Sequence, residues 1–268
     1  MTVYATETAV EPLGDEATGQ WSGHVHPRWN IGANPNGGYL VSIALAALAR
    51  VSPHPDPLSV TTHFLRPGTA GVDAEVVTEV VRSGRTITTA RAALAQSGTT
   101  RLEVVAAFGD LSAAPDVDAP AMTPSIPAIP PPERCLERSG LEQGIELPIL
   151  DRLDVRIHPD QARAGEAGEA VVSGWIRLAD GAAPDTRSVV MFADAFPPSL
   201  FGALGAVGWV PTVELTVHVR RRPAPGWILG RFTTDDLNDG RMIEDGALWD
   251  ETGALVARSR QLGLLLAR

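Results

Sequence analysis

Residues 34–50 read NPNGGYLVSIALAALAR, and beyond the glycine pair this segment has no polar face. Tyr39, Leu40, Val41, Ile43, Leu45 and Leu48 are apolar, and Ala44, Ala46, Ala47 and Ala49 fill most of what remains. A helix that is apolar all round either crosses a membrane or is enclosed by protein. Crossing takes roughly 20 apolar residues, and this run stops at Arg50. Something in the chain must therefore wrap a helix, and a curved sheet does so. The NPNGG turn leads in, and Gly37 and Gly38 allow another group to approach the backbone closely.

Around this helix the sequence predicts strands. Residues 4–10 and 20–25 read as short extended runs joined by the turn-rich LGDEATG. After the helix, VSPHPDPLS forbids its continuation. The β-rich runs at residues 59–65, 74–81, 86–96 and 102–108 follow. Several alternate apolar and polar residues, as a sheet with one face on the core requires. From residue 113 the composition shifts to Pro and Ala, suiting an extended linker or surface strap.

The second half repeats the first. Extended runs at 153–157 and 169–178 precede the apolar segment SVVMFADAFPPSLFGALGAVG, and VELTVHV comes next. His63 in HFLRP is echoed by His218 in HVRRRP, Ser83-Gly84-Arg85 by Asp239-Gly240-Arg241, and RAALAQSGTTRLEVV by GALWDETGALVARS. Each half is thus two extended runs, a buried helix and about four strands. The expected fold class is α+β: a double hot-dog, with two tandem antiparallel sheets each wrapped around a long apolar helix. The expected units are 1–112, a proline-rich connector at 113–140, and 141–268.

With its NGGYL helix start, HFLRP strand, GRTITTARAALAQSG hairpin, proline-rich connector, ADAFPP, PTVELTVHVR and SRQLG, the chain resembles the acyl-CoA thioesterase II family over nearly its whole length. The resemblance implies hydrolysis of acyl-coenzyme A to free acid and coenzyme A, without metal, cofactor or covalent intermediate. It also implies a site of Asp, Thr or Ser, and Gln in the second hot-dog, matching Asp194 in FADAF, Thr212 in VPTVEL and Gln261 in RSRQLG.

The chemistry of these side chains fits that reading. A carboxylate accepts a proton from water at neutral pH, and a hydroxyl and an amide each donate and accept. Free backbone N–H groups at a helix start, with Gly37 and Gly38 as candidates, polarise a carbonyl. Each residue also has a plainer role. Asp194 can cap a helix restarted at Pro197-Pro198, Thr212 is an ordinary strand residue with Thr216 nearby, and the glycine pair can be a simple turn. Gln261 interrupts a strand whose counterpart, LEVVAAF, is apolar. Arg220 and Arg221, within a triple Arg, offer guanidinium forks for coenzyme A phosphates or else form a solvated edge.

The net charge of −10 argues against nucleic acid or an anionic membrane as the main partner. The single cysteine, Cys135, and an acidic N-terminus without a signal-peptide pattern fit a reducing, cytoplasmic setting. His24 and His26 have no Cys or Asp cluster at metal spacing, so no metal site is expected. Two alternatives stay open: a hot-dog protein that binds acyl-coenzyme A without turnover, and a hydratase or dehydratase on the same fold. The equivalence of His63 and His218 speaks for structure and against the latter. Sheet edges and outer faces offer routes to homo-oligomers of double hot-dogs.

Overall fold

A computed structural model describes residues 2–113, 122–141, 144–205 and 208–266. The first part of the connector and two residues of the second apolar segment lie outside these. The helices are α1 (Val3–Glu7), α2 (Gly37–Val51), α3 (Thr186–Phe192) and α4 (Leu200–Leu204). The main strands of the first half are β1 (Gln20–His24), β2 (Asp56–Phe64), β3 (Asp73–Ser83), β4 (Thr88–Gln96) and β5 (Thr99–Gly109). Those of the second are β6 (Leu153–Ile157), β7 (Val171–Leu178), β8 (Thr212–Val219), β9 (Ile228–Asn238), β10 (Arg241–Asp250) and β11 (Leu255–Leu264).

The expected pair of separate sheets is instead one 13-stranded sheet, ordered Glu11–Pro12, β1, β3, β4, β5, β2, β8, β11, β10, β9, β7, β6, Leu136–Glu137. Outward from its centre the order is β2-β5-β4-β3-β1 on one side and β8-β11-β10-β9-β7 on the other. The halves fuse because β2 and β8 would each end a sheet with unpaired backbone groups, and their antiparallel pairing satisfies both edges. In that pairing Ser59 faces His218, His63 faces Glu214, and Thr61 faces Thr216. The Thr61 and Thr216 hydroxyls share a hydrogen bond of 3.0 Å on the local two-fold axis of the duplication. His63 and His218 are both exposed.

Asn36 starts α2 by accepting from the Tyr39 N–H at 2.9 Å. From Gly38 to Leu48 every residue of the helix is buried. It lies between the sheet, chiefly β3 and β4, and α3, so no side remains for a polar face. Burial of each large aliphatic side chain here contributes about 1.5–3 kcal/mol. The helix ends at Ser52, just before Pro53.

Two expectations fail locally. Residues 4–10 do not form a strand: α1 begins there, with the Thr2 hydroxyl accepting from Ala5 N–H. Tyr4 is thereby buried edge-on against Trp29, with ring centroids 6.0 Å apart. The second long helix is broken. α3 runs for 7 residues and stops at Phe192, because Pro197 and Pro198 withhold N–H groups and clash with a continuing helix. Ser199, not Asp194, precedes α4.

The described part of the connector is a strap against the second half. The Pro124 carbonyl accepts from Trp249 Nε1 at 3.1 Å and the Pro130 carbonyl from Trp175 Nε1 at 2.9 Å. Leu136–Glu137 then pairs with β6.

The two helices meet at Gly38. A Cβ there would lie 2.9 Å from the Met191 carbonyl oxygen and 3.0 Å from Asp194 Cβ. Gly38→Ala should therefore cost about 1–3 kcal/mol, read as a lowered midpoint in chemical denaturation. An unchanged midpoint would show that the contact is not tight.

Candidate active site

Asp194 follows α3 directly, in the turn that the Pro197-Pro198 break creates. Its Oδ2 accepts from Gly38 N–H at 2.7 Å and from Asn36 Nδ2 at 2.9 Å, and Asn36 Nδ2 also reaches the Asp194 carbonyl oxygen at 3.0 Å. One carboxylate oxygen is thus held at the positive end of α2, where the helix dipole favours an anion. Oδ1 has no hydrogen-bond partner among the described residues. Desolvation pushes the carboxyl up to about 6, opposed by the Gly38 and Asn36 hydrogen bonds, while Glu244 adds to the rise and Arg138 opposes it. The group is only partly buried, because the cavity reaches it.

A second polar chain comes from β8, β10 and β11. The Thr212 hydroxyl donates to Gln261 Oε1 at 3.1 Å, and Gln261 Nε2 donates to Glu244 Oε1 at 2.6 Å. Glu244 Oε2 accepts from Ser199 N–H at 2.7 Å, and the Ser199 hydroxyl lies 2.9 Å from that of Thr234. Glu244 is 5% exposed, and burial raises the pKa of its carboxyl. Since a carboxylate holds the amide nitrogen of Gln261, the amide oxygen must face Thr212. The Thr212 hydroxyl hydrogen is then engaged, and its oxygen remains free to accept.

Asp194, Thr212, Gln261 and Glu244 all line one cavity of about 720 Å³. Its walls are mostly apolar and come from both halves, with Leu40 and Phe64 from the first and Phe196, Phe201 and Phe232 from the second. Gly37 lines it too, and its N–H has no partner among the described residues. Gly38 does not line it; its N–H is used by Asp194. Arg220 and Arg221 lie past the far end of β8, about 25 Å from Thr212 at the usual strand rise, and are absent from the cavity wall. Arg222, their neighbour, pairs with Asp56 at 2.7 Å.

The site occurs once because the duplication is chemically unequal. Gln261 faces Leu215 and Glu244. At the matching register in the first half, Ala106 faces Val60 and Ala90. Alanine therefore stands where the second half has Gln261 and Glu244.

Sequence reasoning missed Asn36, Glu244 and Arg138 as site residues. Glu244 left a signal, since it shares an inward face with Met242, Gly246 and Leu248 at period two. Asn36 was visible only as part of a turn. Arg138 sits in the connector, where no periodicity marks it.

The architecture is a double hot-dog, with a carboxylate, a hydroxyl and an amide lining its apolar cavity. Family models agree: residues 25–110 match the acyl-CoA thioesterase N-terminal domain and residues 125–265 match the acyl-CoA thioesterase C-terminal domain. The chain belongs to the acyl-CoA thioesterase II-like hot-dog family. A crystal structure described as a thioesterase II from Thermobifida fusca is 32% identical, with a TM-score of 0.86, covering 100% of this chain and 98% of that one. An uncharacterized protein of Mycobacterium tuberculosis is 28% identical over 99% of both chains. The dehydratase domain of PpsC from Mycobacterium tuberculosis, solved in complex with C12:1-CoA, is 12% identical with a TM-score of 0.60 over 97% of this chain and 99% of that one, a likeness of fold alone.

A carboxyl raised in the folded state, from an ordinary 3.8 to about 6, makes the fold bind more protons than the unfolded chain between those values. Its ionisation therefore destabilises the fold as pH rises through that window. Asp194→Asn should raise the melting temperature at pH about 7.5, by the equivalent of up to about 3 kcal/mol, and the gain should shrink toward zero near pH about 4. A gain equal at both pH values would contradict the raised pKa.

Proposed function

We propose that the protein hydrolyses acyl-coenzyme A thioesters to free acid and coenzyme A by direct attack of water. The observation that carries this reading is the asymmetric grip on Asp194: Oδ2 is fixed by Gly38 and Asn36, and Oδ1 is left open in an apolar cavity shared with Thr212 and Gln261. Water placed there donates one hydrogen to Asp194 Oδ1 and the other to the Thr212 oxygen. Asp194 removes a proton as the water oxygen bonds to the thioester carbonyl carbon. The resulting oxyanion faces the free Gly37 N–H at the start of α2 and the second N–H of Gln261, both suited to developing negative charge. Collapse breaks the carbon–sulfur bond, and the proton held by Asp194 passes to the departing thiolate. The products are carboxylic acid and thiol, with Asp194 restored.

The apolar walls suit the acyl chain. Arg66, exposed and on the cavity wall, offers a guanidinium for the coenzyme's phosphates, a role that the distance of Arg220 and Arg221 from the cavity does not favour. A hydratase reading would need a histidine beside the carboxylate, and none of the 6 histidines lines the cavity.

Incubated with acyl-coenzyme A of graded chain lengths, the purified protein should release free thiol, followed with a thiol-reactive dye. Asp194→Asn should lower kcat by about 100-fold to 10,000-fold, and wild-type kcat/KM should rise with pH and level off above about 6. Saturable acyl-coenzyme A binding without thiol release at any length would identify a binding protein instead.

Glu244→Gln should act through the orientation of Gln261. Its amide can present a hydrogen where the Gln261 nitrogen now donates, so kcat should fall about tenfold with KM little changed. A parallel rise in KM would point to collapse of the cavity wall.

A further inference from the structure

Arg138 is 9% exposed, yet it makes no ion pair among the described residues. Its backbone N–H is fixed by the Val155 carbonyl at 2.9 Å, beside the Leu136–Glu137 edge strand, and its side chain runs inward to the cavity wall. There Nη1 donates to the Ala195 carbonyl, next to Asp194. Nε and Nη2 have no partner among the described residues, and they are not among the fully enclosed atoms left without a hydrogen bond. They therefore keep some accessible surface, in a residue that lines the cavity.

The Nε and Nη2 hydrogens form one edge of the guanidinium plane and match the two oxygens of a carboxylate. This protein uses that same edge elsewhere. Arg152 grips Glu7 with Nε and Nη2, each at 2.7 Å, and Arg222 holds Asp56 through Nε at 3.0 Å and Nη2 at 2.7 Å. In Arg138 the edge is vacant although the side chain is the more deeply buried. Asp194 is the charge that reaches Arg138 electrostatically but it makes no hydrogen bond to this edge, and a buried guanidinium edge without an acceptor is costly. Desolvation lowers its pKa only to about 10, so it remains charged at neutral pH.

We propose that the Nε–Nη2 edge of Arg138 is a carboxylate-binding site within the cavity, which seats either the free acid released by hydrolysis or a second carboxyl group carried on the acyl chain. The acyl origin of that carboxylate rests on the thioesterase reading, whereas the anion site itself does not. Its position beside Asp194 and Ala195 puts it at the polar end of the cavity, with the aromatic wall left for the chain.

Calorimetric titration of the purified protein with decanoate, 1-decanol and decanedioate at pH about 7.5 tests this. The wild type should bind decanoate about tenfold more tightly than the alcohol, as expected for paired hydrogen bonds to a charge. Arg138→Met, checked for an intact fold by circular dichroism, should bring that ratio to about one and leave alcohol binding unchanged. Equal binding of acid and alcohol by the wild type overturns the proposal, and so does a folded Arg138→Met that keeps the ratio. If Arg138→Met fails to fold, Arg138→Lys serves, because a charge without the planar edge should reduce the ratio; an unchanged ratio again refutes the site.

Thioester kinetics separate the two sources. A distal carboxyl predicts a lower KM for the decanedioate mono-thioester than for decanoyl-coenzyme A, lost in Arg138→Met. Product seating predicts equal KM values and competitive inhibition by decanoate that weakens in the variant. Arg138-dependent decanoate binding without any thiol release would sink the hydrolase reading while leaving the carboxylate site standing.

Discussion

The hydrogen bond from Gly38 N–H to Asp194 Oδ2 joins the start of one half's helix to the end of the other's. Much of the structure follows from it. It needs glycine at 38, because a Cβ would collide with Met191. It needs Asn36, whose two amide atoms do different work: Oδ1 caps α2 and Nδ2 holds the carboxylate. It also needs α3 to stop at Phe192, since a continuing helix would carry Asp194 away from this position. The same contact leaves Oδ1 without a protein partner, and it holds down a carboxyl that burial pushes up to about 6. Packing between the helices and the hold on this carboxylate are one arrangement here.

Duplication gave the chain two equivalent frames, and substitution made them unequal. Ala90 and Ala106 fill the first frame with small apolar side chains, while Glu244 and Gln261 occupy matching places in the second. The first half then contributes walls and backbone: Leu40, Phe64, Gly37 and the α2 N-terminus. The second contributes the acid, hydroxyl and amide. The halves are further tied at their far side by Glu7, which accepts from Arg152 and from Trp29 Nε1 at 2.8 Å.

What was legible in the sequence was what depends on local period and on repetition. Leu40 to Leu48 lacks a polar side and does form a buried helix. The alternation in residues 86–96 does become a strand with alternate burial. Asp194 stood out as a charge in an apolar run, and it lines the cavity with Thr212 and Gln261, the residues that the resemblance singled out. The failures are equally local. Apolar content suggested a long second helix, and two prolines overrode it. Residues 4–10 read as an extended run, but the chain turns helical over Val3–Glu7, where Tyr4 is buried against Trp29.

By itself the sequence determined the enclosed helix, the strands around it, the doubling, and family membership, because each of these is written in residue spacing over a few tens of positions. Only the tertiary structure decided that the two sheets are one, since that depends on β2 and β8 meeting as unpaired edges. Only it brought Asn36, Arg138, Asp194 and Glu244 to one cavity, with Gly38 behind Asp194. These residues are far apart in the chain, and the hydrogen bonds and burial that give them their chemistry exist only after the halves have closed on each other. The polar residue that opened the apolar run at 194 was readable as an anomaly; what holds it was not.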